Sequence, residues 1–255
     1  MIKKRLISSI IYKDDNVVQS FNYNKFLPIG NIESSVKNLN RWNADEILIL
    51  SIDRSKKKIG PDIDLLNKLK NLKIETPIIY GGGISTLNDA KKVTALGADR
   101  IVLESIIDEN YDQFKEISEH IGRQSIILSM PLSLNQNNEI RIFDYKIQKE
   151  KKISKNFLKA INDDLISEIL ISDYKNQGTM RGFDQKIIKK FNFKNNLILS
   201  GGIYEISNIR KIFQDKRVVA CSVGNNLNYG EHRIQKFKSN LKSSYLRRPF
   251  YSNQS

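Results

Sequence analysis

Eight short apolar runs alternate with amphipathic stretches along nearly the whole chain, and this alternation constrains the fold more than any other feature. The runs cover residues 5–11, 46–52, 77–80, 100–103, 125–130, 168–172, 197–200 and 218–223. They are rich in Ile, Leu and Val and lack polar alternation, as in strands covered on both faces of a parallel sheet. The stretches at 34–42, 63–72, 86–96, 111–121, 155–163, 184–191, 206–213 and 232–241 carry apolar residues at helical spacing. In the first of them Val36, Leu39 and Trp42 share one side. Eight strand–helix pairs predict an α/β fold, a closed (β/α)8 TIM barrel. Such a barrel takes about 250 residues, and the chain has 255. A three-layer open sheet is the structural alternative.

The chain also repeats itself. The run Glu46–Ser51 (EILILS) returns at 168–172 (EILIS), and Gly82-Gly83-Ile84 returns as Gly201-Gly202-Ile203. Both pairs lie roughly half the chain apart, so the barrel is expected to be built from two duplicated (β/α)4 halves. No Pro/Gly/Ser-rich linker divides the chain. The expected organisation is one barrel over residues 1–241 followed by a basic tail over 242–255. Glycines between a strand and a helix let backbone N–H groups approach an anion, with the helix N-terminus adding a favourable dipole. Gly82, Gly83, Gly178, Gly201, Gly202 and Ser222 are therefore candidates for binding phosphate at the C-terminal ends of the strands. The competing reading is that the glycines only make tight turns.

Composition narrows the chemistry. A single cysteine, Cys221, excludes an internal disulfide framework, and two histidines, His120 and His232, leave little for metal or triad chemistry. No metal and no cofactor are expected. Cys221 lies inside an apolar run, where an inert buried thiol is the usual state, and His120 suits a helix C-terminus. The net charge of +14 comes from lysines spread along the chain, so a solvated surface outweighs a nucleic-acid site. No apolar run approaches a membrane span of about 20 residues, and a cytoplasmic address follows.

An ordered set of motifs carries a resemblance. Arg5-Leu-Ile, Ala44-Asp-Glu-Ile-Leu, Tyr80-Gly-Gly-Gly-Ile84, Gly97-Ala-Asp-Arg100, Gln177-Gly-Thr-Met-Arg-Gly-Phe-Asp184 and Ser200-Gly-Gly202 follow one another as in one family. The chain resembles the cyclase subunit (HisF) of imidazole glycerol phosphate synthase over roughly residues 3 to 230. The resemblance implies a barrel that receives ammonia from a glutaminase (HisH-like) subunit at its N-terminal face. Cyclisation in that family uses two aspartates at the opposite face. Here the two positions are Ile11 and Pro131, and neither side chain can take or give a proton. At the first phosphate site the family's Asn-Thr pair is Glu104-Ser105, and a glutamate repels an anion.

The family's charged ring at the N-terminal face corresponds to Arg5, Glu46, Arg100 and Glu168, with Asp99 at a position that supports the glutaminase contact. Pro28-Ile-Gly-Asn31, Ser51-Ile-Asp53-Arg54 and Gly60-Pro-Asp62 are similar to the WbuZ-type, glycosyl amidation-associated branch. That branch implies a subunit that conducts ammonia to an N-acetyl sugar amidotransferase of polysaccharide biosynthesis, without cyclising. The alternatives are an authentic cyclase subunit of histidine biosynthesis, a lyase, and a basic polyanion-binding protein.

Overall fold

The computed structural model describes residues 3–241 and 246–247. Twelve strands form one sheet: β1 Arg5–Lys13, β2 Asn16–Phe21, β3 Lys25–Gly30, β4 Glu46–Ser51, β5 Ile78–Gly81, β6 Arg100–Leu103, β7 Ile126–Leu134, β8 Ile140–Asp144, β9 Lys149–Lys151, β10 Glu168–Asp173, β11 Asn196–Ser200 and β12 Val218–Val223. Eight of them pair in parallel in the order β10-β11-β12-β1-β4-β5-β6-β7, and a β7–β10 pairing closes the ring. The chain is a (β/α)8 TIM barrel, and each of the eight predicted runs supplies one barrel strand.

Alternation along the strands sorts side chains between two cores. Ile7, Leu48, Ile79, Val102, Ile127, Leu170, Ile198 and Ala220, one from each barrel strand, fill the interior. Their neighbours in sequence, among them Leu6, Ile47, Tyr80, Ile101 and Leu128, face outward into a larger core beneath the helices. Polar caps start those helices. Asn31, Asp62 and Ser154 each accept a backbone N–H of the first turn, and Thr86 and Asp89 form a reciprocal capping box.

Four strands lie outside the ring, and the apolar-run pattern did not predict them. β2 and β3 form an antiparallel hairpin on the upper half of β1, and β8 and β9 extend β7 in the same way. β1 and β7 are four strands apart in a ring of eight, so the hairpins rise on opposite sides of the C-terminal mouth. They meet above it. Tyr23, in the turn of the first, packs edge-on against Phe143 of the second at 5.9 Å, and Phe143 stacks on Tyr174 at 4.5 Å.

The basic tail predicted over 242–255 lies outside the described residues except for Leu246 and Arg247. Leu246 is buried and bridges to Lys4 in parallel. Among the described residues no helix is long and apolar enough to cross a membrane.

Candidate functional site

The N-terminal opening brings together the four charged residues that the sequence placed at strand starts. Arg5 donates to both oxygens of Glu168 at 2.7 Å, and its Nε lies 3.3 Å from Glu46. Arg100 reaches Glu168 at 2.8 Å and Glu46 at 3.4 Å. The charges alternate around a closed circuit, Arg5–Glu168–Arg100–Glu46, with all four side chains at most one-fifth exposed. Burial pushes the Glu46 carboxyl up, against the downward pull of Arg5 and Arg100.

The residue before each ring member on three of the strands ties it to the neighbouring strand. The Asp45 carboxylate accepts the Leu6 N–H at 2.7 Å, Asp99 accepts the Ile78 N–H at 2.8 Å, and Ser167 Oγ donates to the Ile126 carbonyl at 2.8 Å. Asp99 is exposed on this face. Asp45 is buried and pairs with the fully buried Lys238 at 2.8 Å. That pair was not legible in the sequence, because it joins residues from opposite ends of the chain.

At the C-terminal mouth lies a cavity of about 610 Å³. Its floor includes Leu48, Val102 and Leu170 of the interior layer. Above them come Ser9, Ser129, Ser172 and Ser200, each two residues beyond an interior apolar residue of its own strand. Ile11 lines the cavity, and Pro131 is buried opposite Ser172. Neither family aspartate position therefore offers a carboxyl to the mouth.

Other carboxyls stand near the mouth, and most are occupied. Asp14 pairs with Lys13 and Lys57, whose hydrogen bonds hold its carboxyl down at about 2. Asp53 pairs with Lys57 at 2.8 Å. Asp173 accepts from the Asp184 N–H and the Asn176 amide, which organises the loop after β10. Glu104 differs. Burial pushes its carboxyl up to about 7, and Ser129 donates to it at 2.5 Å.

The glycines obey the internal duplication. A Cβ on Gly82 would meet the Ser51 carbonyl at 2.1 Å, and one on Gly201 the Asp173 carbonyl at 2.4 Å. A Cβ on Gly83 would meet the Gly60 carbonyl at 2.0 Å, and one on Gly202 the Gly182 carbonyl at 2.5 Å. In both halves the glycine pair thus lets the preceding βα loop lie directly across it. The Gly83 N–H donates to Ser55 Oγ at 2.9 Å, so that donor is used within the chain. Gly178 packs in the same way against the Ser20 carbonyl of the first hairpin. Ser222 Oγ is buried and makes no hydrogen bond among the described residues. Cys221 is buried, and burial pushes its thiol up. His120 contacts the Glu116 carbonyl at a helix end. Among the described residues no group of His, Cys, Asp or Glu could hold a metal ion.

The profile of the histidine biosynthesis protein family matches residues 5–233. A Vibrio vulnificus protein provisionally named imidazole glycerol phosphate synthase subunit hisF2 is 26% identical, the match covering 96% of this chain and 91% of the relative. A Campylobacter jejuni protein with the same provisional name is 30% identical over 80% of this chain and 81% of its own. The imidazole glycerol phosphate synthase subunit HisF of Staphylococcus saprophyticus is 28% identical over 95% and 97%.

Proposed function

The chain belongs to the histidine biosynthesis protein family, and from that premise we propose that it is a barrel subunit that conducts ammonia without cyclising. A HisH-like glutaminase docks on the N-terminal face, beside Asp99. Ammonia enters through the circuit of Arg5, Glu46, Arg100 and Glu168 and leaves at the C-terminal mouth. There a sugar-directed amidotransferase takes it up. The observation that carries this reading is the contrast between the two ends. The ring is complete and internally paired, whereas the mouth has Ile11 and Pro131 where proton-transfer groups would be needed. The cavity supports the passage, because its floor reaches the interior layer just above the ring.

Of the loops proposed for anions, the first keeps Gly82 and Gly83, but the Gly83 N–H is already used by Ser55; the second comprises Gly178, Gly201, Gly202 and Ser222, whose hydroxyl is buried. Glu104 opposes a phosphate at the first, so the reading keeps one anion at most, at the second.

The relatives' names favour a second reading, a working cyclase subunit. One experiment separates the two. The chain is co-purified with its glutaminase and assayed both for glutaminase stimulation and for ammonium-dependent cyclase turnover on the ribonucleotide substrate. Stimulation without turnover supports the conduit. Robust turnover overturns it. Asp99→Ala and Arg100→Ala should each weaken stimulation, and unchanged coupling in both would count against the entrance.

A further inference from the structure

The cavity at the mouth holds a carboxylate that its neighbours do not neutralise. Glu104 follows directly on β6, two residues beyond Val102, so it turns into the barrel above the floor formed with Leu48 and Leu170. Its one side-chain hydrogen bond among the described residues comes from Ser129. The lysine charges that pull its carboxyl down, against the nearby Asp144 carboxylate, are paired elsewhere. Lys151 pairs with Asp108 and Asp144, and Lys146 pairs with Glu109. Among the described residues no lysine or arginine comes within ion-pair distance of Glu104.

A carboxylate drawn out of water in this way is costly until a ligand brings it charge or hydrogen-bond donors. Several hydroxyls on the wall are suited to such a ligand. Ser9, Ser172 and Ser200 present hydroxyls to the same space, and each hydroxyl can accept an N–H. Tyr23 and Tyr145 also line it, their phenols pushed up first by burial and then by the Glu104 charge, so both stay neutral. Lys13, Lys56 and Lys57 line other parts of the cavity, and Lys13 and Lys57 are paired with Asp14. Beside Glu104 itself, phosphate and carboxylate ligands are disfavoured and a small cation with several donors is favoured.

We propose that Glu104 and Ser129 form a binding site for a protonated nitrogen, either an ammonium ion or the –NH3+ group of a small amine. The nitrogen sits against the Glu104 carboxylate, and the surrounding serine hydroxyls accept its remaining hydrogens. The site does not depend on the conduit reading. It requires only the cavity and its unpaired carboxylate. The shared chemistry has two sources, the free ion and the amine of a larger substrate entering from the mouth.

The test uses the full chain alone at about pH 8, where the carboxyl is ionised. Ammonium chloride, methylammonium chloride and glucosamine hydrochloride are titrated separately at constant ionic strength, with potassium chloride as the control. Carboxyl 13C NMR of Glu104 and amide shifts around Val102 and Ser129 report binding. Saturable shifts with at least one nitrogen cation, at least tenfold tighter than potassium, are expected. Glu104→Gln should weaken binding at least tenfold, and Ser129→Ala severalfold. Saturation by ammonium alone identifies the free ion as the ligand, and tighter glucosamine binding identifies an amine substrate; both uphold the site. Equal response to potassium, or Glu104→Gln binding within twofold of wild type, overturns it. Glutaminase stimulation is unaffected by either outcome, so the two proposals fail separately.

Discussion

Replacing Glu104 by glutamine should make the protein more stable at neutral and alkaline pH. The wild-type carboxyl titrates at about 7 in the fold and near the ordinary 4.5 once the chain unfolds. Between those values the folded state holds more protons than the unfolded state. Stability therefore falls as pH rises through that window, and the loss is complete above it. At about 1.4 kcal/mol per tenfold change in proton affinity, the full penalty is roughly 3 kcal/mol. Glutamine keeps the shape and can still accept from Ser129, but it has no charge to bury. The assay is urea denaturation of both proteins at intervals from about pH 4.5 to about pH 8.5, reading the difference in unfolding free energy. That difference should be small at the acid end, grow through the window and level off near 3 kcal/mol in favour of the variant. Parallel profiles, or a variant less stable at alkaline pH, would refute the view that this half-buried carboxylate lacks a compensating cation.

Four further outcomes follow from the packing. Asp45→Asn leaves the fully buried Lys238 without its anion and should lower stability by roughly 3–5 kcal/mol in urea titrations. Removing Glu168 leaves Arg5 and Arg100 sharing one carboxylate, and Glu168→Ala should cost roughly 3 kcal/mol by the same measurement. Gly83→Ala forces a Cβ onto the Gly60 carbonyl at a backbone φ of +74°, so thermal unfolding should shift down by the equivalent of at least ~2 kcal/mol. Tyr23→Ala removes the contact between the two hairpins, worth about 1 kcal/mol, and should speed amide exchange over residues 16–30 and 140–151 while leaving the barrel strands protected.

The barrel was legible because its signal is repeated eight times and each run is apolar on both faces. The hairpins were not. The segment Asn16–Phe21 is short, carries Gln19 and Ser20, and gains its partners only when β1 continues past the barrel rim. Arg5, Glu46, Arg100 and Glu168 could be picked out as strand starts, but their closed circuit exists only once the sheet curls. Glu104 shows the sharper limit. Sequence marks it as hostile to phosphate, whereas its depth, its Ser129 partner and its lack of a cation are properties of the cavity. The glycine pairs were readable as turns or anion loops. Only the fold reveals the carbonyls of Ser51, Gly60, Asp173 and Gly182 lying across them.

The aromatic bridge of Tyr23, Phe143 and Tyr174 has a consequence for how such a scaffold changes its client. The closed ring of strands carries the stability, while the roof over the cavity is an arch thrown up from two opposite posts and held by a keystone of rings. Lengthening or trimming either post alters what can enter and at what angle, without a single barrel hydrogen bond being exchanged. What enters the mouth can therefore change while the frame beneath it stays the same.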